Sequence, residues 1–172
     1  MSRQSLFPLF EWYGHSFLGK TISASSFLIA FFEIIHLIGM TLLIGTILAV
    51  DLTLLGFGMR KYPVSRLGED LRPWTRGGLA VMLMTGPLLL SSEALRCFDS
   101  SSFWAKMGLL AIALVFHFTV HRRVVMAEPA VPPLRSGLVA CTSLALWTGV
   151  ALAAKFIGIF GDDLRQQARL FN

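Results

Sequence analysis

The sequence predicts an all-α integral membrane protein, a four-helix bundle with a short interfacial helix near its N-terminus. Hydrophobic residues make up 55% of the chain and charged residues only 15%, with a mean hydropathy of +0.67. This composition is too apolar for an ordinary soluble domain. Four apolar stretches approach or exceed the ~20 residues needed to cross a bilayer. We expect one membrane domain, residues 1–172, with spans near 26–56, 77–95, 103–120 and 137–160.

The segment before the first span is rich in aromatic residues interleaved with polar ones. Phe7, Phe10 and Phe17 fall roughly on one side of a helix. Aromatic-rich amphipathic segments lie at the level of the lipid headgroups, and Pro8 suits the first turn of a helix. We therefore predict an interfacial helix over residues 5–19.

The first span is an almost unbroken apolar run with three ionisable residues, Glu33, His36 and Asp51. At 100° per residue they share one face of the helix. Ionisable groups within a span are costly and usually functional, and lipid would leave them unpaired. This face is therefore expected to meet protein, a cofactor or water, with Asp51 pairing with Arg72 or Arg76.

The remaining spans differ in character. The second carries Pro87, which removes a backbone hydrogen bond and predicts a kink. The third opens with Trp104 and Lys106 and reaches His117 near its end. The fourth is rich in glycine and alanine, which allow helix backbones to approach closely in a bilayer.

Charge favours one orientation. The two loops on one side of the predicted bundle contain Arg60, Lys61, Arg66, Arg72, Arg76, Arg122, Arg123 and Arg135. Cationic loops face the cytoplasm, so we expect both termini to lie outside the cytoplasm. The net charge of +5 is thus explained without nucleic acid. Cys97 and Cys141 form no CxxC motif and predict neither a disulfide nor a metal site.

Two histidines are predicted to lie at similar depth on parallel spans. His36 is nine residues after Phe27, roughly 13–14 Å, and His117 is ten residues after Met107, roughly 15 Å. Facing side chains of a bundle commonly build cofactor sites. Haem needs only two protein ligands, because the porphyrin supplies four. His36 and His117 are therefore candidate ligands of one haem b iron.

Other residues suit this hypothesis. Ala113, one turn before His117, would leave room for a flat ring. Lys106, Arg96 and Lys155 lie near one predicted end of the bundle, where cations can pair with haem propionates.

Glu33 lies one turn before His36 and is a candidate acceptor for the second imidazole proton. A buried neutral acid, a proton-relay group and a carboxylate reaching headgroup water are the alternatives for this residue.

Simpler interpretations of the histidines remain open. A lone histidine in a span often only bonds a neighbouring helix. His117 and His121 are four residues apart, a spacing that also suits a metal ion such as copper, with Met40 or Met107 as a soft ligand. Since Arg122 and Arg123 follow His121, a solvated interfacial histidine is the other expectation.

Several motifs resemble a largely uncharacterised family of small bacterial four-helix membrane proteins. They are Glu33-Ile34-Ile35-His36-Leu37, the run from Gly45 to Gly56, Thr85-Gly86, Lys106 with Phe116-His117, and Ser143-Leu144-Ala145-Leu146-Trp147. The resemblance implies a fold rather than an activity. It also implies a location in the bacterial inner membrane, where both termini would lie in the periplasm. A looser similarity to membrane cytochromes b and the copper-resistance D group implies histidine ligation in spans, here by His36 and His117.

We therefore expect an electron-transfer protein of the cytochrome b type, which exchanges electrons with a redox protein or quinone in the bilayer. A copper-handling or transport protein and a structural anchor subunit of a larger complex are the alternatives, and a homo- or hetero-oligomer is compatible with each. No nucleophile–base pair or phosphate-binding loop is evident, so side-chain catalysis is not expected.

Overall fold

The computed structural model describes residues 6–57, 63–127 and 131–170, with side chains as far as Lys155. This part of the chain contains helices and no strand, which confirms the all-α prediction. The helices are α1 (Phe7–Gly14), α2 (Phe17–Ser23), α3 (Ser26–Leu54), α4 (Val64–Ser92), α5 (Ala94–Asp99), α6 (Ser101–Phe116), a π-helical segment (His117–His121), α7 (Arg122–Val125) and α8 (Pro133–Leu170).

Three helical stretches are long and apolar enough to cross a membrane, which indicates a membrane protein. They are Ser26–Leu54, the continuous stretch Ser101–Val125, and Pro133–Lys155. Large apolar side chains such as Phe27 and Ile38 on α3 point outward, 76% and 62% exposed. Lipid is the environment that would cover such a surface.

Helix α4 begins at Val64, not near residue 77 as the hydropathy predicted. Pro63 occupies the N-cap in an extended conformation, and the helix continues through Pro73 and Pro87. Its first half is the polar connection expected from the sequence. Charged residues propagate a helix readily when one side packs against protein. Here α4 lies along α3.

The N-terminal segment forms two short helices where one was predicted over residues 5–19; residue 5 lies outside the described residues. The Ser16 hydroxyl accepts a hydrogen bond from the Gly19 amide at 3.2 Å and so caps the start of α2. These helices pack on α4 and α5. The Phe10 ring lies 5.3 Å from Phe98 and 5.9 Å from Trp104, between ring centroids.

The connection expected at residues 96–102 is mostly helical too, since α5 occupies Ala94–Asp99 and the Ser100 hydroxyl caps α6. Helix α6 packs against α8, and α8 packs against α3. The central core between these helices consists of Leu43, Ile47, Met82, Ala113, Trp147 and Val150.

Candidate functional site

A buried acid–imidazole pair joins α3 to the π-helical segment. His121 Nε2 lies 2.7 Å from Asp51 Oδ1, and the side chains are 3% and 0% exposed. Asp51 therefore pairs with His121, not with Arg72 or Arg76 as expected, and His121 is not an interfacial side chain.

The local helix geometry explains why both histidines point inward. The Arg122 amide bonds to the His117 carbonyl, five residues back, as in a π-helix. This wider turn keeps His117 and His121 on the core side. Their rings stack with centroids 5.0 Å apart and an interplanar angle of 24°. π-Helical turns frequently occur at functional sites.

The Asp51–His121 contact shows which residues of α3 and of the stretch from α6 through the π-helical segment lie at the same height along the bundle axis. His36 lies fifteen residues before Asp51, and Lys106 lies fifteen residues before His121. His117 lies only four before His121, which places it about 16 Å along the bundle from the level of His36. The structure thus does not bring His36 and His117 to the common depth that one iron between them requires.

His36 is instead oriented by α4. Its Nδ1 lies 2.8 Å from Thr85 Oγ1, and the Thr85 hydroxyl donates to the Val81 carbonyl at 2.7 Å. A hydroxyl has one proton to donate. We therefore assign Nδ1–H as the donor to Thr85, which leaves Nε2 with its lone pair. Gly86 lies beside the ring, since a Cβ there would be 3.6 Å from His36 Cε1.

Two of the predicted cations lie toward the His36 end. Lys106 is half-buried, and its charge acts on the His36 imidazole and on the Cys97 thiol. Arg96 makes an ion pair with Glu93, with Nη1 to Oε2 at 2.6 Å. This end of the bundle therefore gathers one oriented imidazole and two cations.

The other predicted site residues lie apart from this cluster. Glu33 is exposed, and Thr85 takes the place at His36 Nδ1 that was expected for Glu33. Ala113 is 0% exposed and is packed within the core, so the space beside its methyl group is filled by protein. Lys155 is exposed on α8.

A second polar site surrounds a small cavity at the opposite end of the bundle. The cavity, about 60 Å³, is lined by both stacked histidines, by Thr46 and Thr75, by three arginines and by apolar side chains. Thr75 donates to Thr46 at 2.9 Å. Among the described residues, no group of three or more His, Cys, Asp or Glu side chains is arranged to hold a metal ion.

Cys97, in α5 outside the three apolar helices, provides a test of the electrostatics near Lys106. Burial raises the pKa of the Cys97 thiol, Glu93 raises it further, and Arg96 and Lys106 oppose this. The thiolate should therefore form at higher pH in the folded protein than in the denatured chain. In a Cys141→Ser variant, the rate of Cys97 alkylation should therefore rise at a higher pH in the folded protein than in the same variant denatured in dodecyl sulfate.

Replacing Glu93 by glutamine should move the Cys97 profile back toward lower pH, because it removes a negative charge next to the thiol. A folded-state profile at or below that of the denatured chain would contradict the burial of this thiol.

No curated protein and no solved structure matches this chain. One family model does, over residues 9–160, and its description is a family of unknown function. The match includes His36 with Thr85, the Asp51–His121 pair and the residues that line the cavity. Since it covers most of the sequence, the chain belongs to the family of unknown function DUF6644.

Proposed function

We propose that this protein is a four-span membrane electron carrier in which His36 Nε2 would hold the iron of one haem b. The observation that carries the proposal is the hydrogen-bond chain from His36 Nδ1 through Thr85 Oγ1 to the Val81 carbonyl. Metal-ligating histidines almost always donate their other ring N–H in this way, which fixes the tautomer and the ring plane. In this proposal α4, packed along α3, is the fourth span.

Lys106 and Arg96 are the cations that this proposal assigns to the haem propionates. A lysine amine in an apolar helix is costly unless it meets an anion or water, and the Lys106 charge acts on the His36 imidazole. His117 takes no part, because its level is about three turns from that of His36.

Bound haem would supply one-electron chemistry, and the chain would set its potential through ligation, burial and nearby charge. Thr85 holds the imidazole in place through its contact with Nδ1. Because the sites lie within membrane-span-like helices, we propose a quinone or a membrane redox protein as the electron partner.

The visible spectrum of protein purified from haem-supplied cells tests the proposal. We expect a b-type band after reduction that is lost in His36→Ala and retained in His117→Ala. Thr85→Val should lower haem affinity by about 10–100-fold, the typical effect of removing a partner that orients a ligand. Haem is titrated into each purified apoprotein to measure this.

The alternatives give different results in this experiment. If the band were lost equally in both histidine variants, His36 and His117 would both be haem ligands, as the sequence predicted. Absence of any band in the folded, haem-supplied protein would overturn the electron-carrier proposal. Bound copper would then favour metal handling, and a co-purifying partner would favour a structural anchor.

A further inference from the structure

The inner cavity opens toward a larger surface depression, and the two share Arg72, Phe118, Arg122 and Met126. From the groups that line them, we propose that the inner cavity binds the carboxylate head of a single-chain membrane amphiphile, of the long-chain fatty acid class. This site lies at the opposite end of the bundle from His36 and is independent of the proposed haem.

Charge around the cavity favours an anion. Arg72, Arg76 and Arg122 line it, and the part of the chain that the structure describes places no carboxylate within ion-pair distance of them. A guanidinium binds a carboxylate through two parallel hydrogen bonds. Of the described residues that line the outer depression, Glu69 is the one acid, and it lies alongside Arg66, Arg72, Arg122 and Arg123.

The polar groups of the residues that line the cavity also favour a bound ligand. His117 Nδ1 is buried and has no hydrogen-bond partner, and a buried polar atom normally has one. Asp51 does not line the cavity, because it lies behind the His121 ring that it bonds. His117, His121 and the two threonines line the cavity, while the Asp51 carboxyl is kept away from it.

The volume of the cavity and its apolar walls indicate which kind of molecule would carry the carboxylate. A volume of about 60 Å³ accommodates a head of a few atoms, whereas pockets for drug-sized ligands measure about 300–1,000 Å³. Leu43, Leu79, Phe118 and Trp147 provide apolar walls. A carboxylate on one alkyl chain fits these features, and a diacyl phospholipid headgroup is too large.

Trp147 lies in the cavity wall and reports on occupancy. In a variant with Trp12, Trp74 and Trp104 replaced by phenylalanine, bromine-substituted stearic acid should quench Trp147 fluorescence saturably in detergent. Unlabelled oleate should reverse the quenching, and methyl oleate, which has no charge, should not. This competition needs no change to the cavity.

The arginines are tested in the same single-tryptophan protein. Arg72→Gln with Arg122→Gln should weaken the apparent affinity for bromostearate at least about tenfold, since a hydrogen bond to a charged group contributes about 1.5–3 kcal/mol and 1.4 kcal/mol is tenfold. Arg135→Gln is the matched control, because Arg135 lines neither the cavity nor the depression, and it should leave the affinity unchanged.

Each contrary result overturns the proposal. Quenching that never saturates, or that methyl oleate reverses as well as oleate, would show partitioning into the detergent and no carboxylate site. Saturable quenching by a bromine-substituted diacyl phospholipid in nanodiscs would assign the cavity to phospholipid. Reversal by millimolar inorganic phosphate alone would assign it to a free anion without an alkyl chain.

Discussion

Replacing Gly78 by alanine is expected to lower the free energy of unfolding by about 1–3 kcal/mol, the usual cost of overpacking. A Cβ at Gly78 would lie 2.8 Å from the Gly39 carbonyl oxygen and 2.8 Å from the Leu43 amide nitrogen. Both are backbone atoms of α3, so only a separation of α3 from α4 relieves the contact. Denaturant unfolding of the detergent-solubilised protein measures the loss.

Gly77, the preceding residue in the same helix, is the matched control. A Cβ there meets nothing within 4 Å, so Gly77→Ala should stabilise the protein by roughly 0.5–1 kcal/mol, the helix preference of alanine over glycine. The two adjacent substitutions are thus expected to have opposite signs. Equal effects would contradict the packing of α4 on α3.

Removing the Asp51 carboxylate should have a larger effect. We expect Asp51→Ala to cost about 3–5 kcal/mol, the range for removing one partner of a buried acid–base pair, because His121 would keep its buried ring without a partner. Thermal and denaturant unfolding in detergent measure this change. Asp51→Asn keeps an oxygen acceptor at the same position and should lose less.

A double-mutant cycle separates the pair from the packing around it. Replacing Asp51 and His121 together by leucine removes both buried polar groups, and such replacements are often neutral or stabilising. The double variant should therefore be more stable than the sum of the two single losses predicts. Additive losses would show that the two side chains do not interact.

The sequence was most informative where apolar residues run without interruption. The first span was predicted at residues 26–56, and α3 occupies Ser26–Leu54. Hydropathy could not locate the start of α4, because a helix that packs against protein on one side needs no continuous apolar run. Charged residues of the first half of α4 were therefore assigned to a loop, although Pro63 was available as a starting signal.

The partners within the candidate site were harder to predict for a geometric reason. The depth of His117 was counted from Met107, but α6 begins at Ser101, and each residue of error moves a side chain about 1.5 Å. Because Asp51 contacts His121, and because His36 and Lys106 each lie fifteen residues before their member of that pair, Lys106 is the residue at the height of His36. The sequence contains both spacings but not the pairing that connects them.

The π-helical segment has a consequence for how this stretch tolerates insertion and deletion. A π-turn accommodates one residue more than the α-helical turn it replaces. Deleting Phe118, which lies between the two histidines, would let this turn wind as an α-helix, and the residues downstream would keep nearly the same direction around the helix axis. His121 would then still face Asp51, so a chain one residue shorter here would keep both its hydrophobicity and this buried contact.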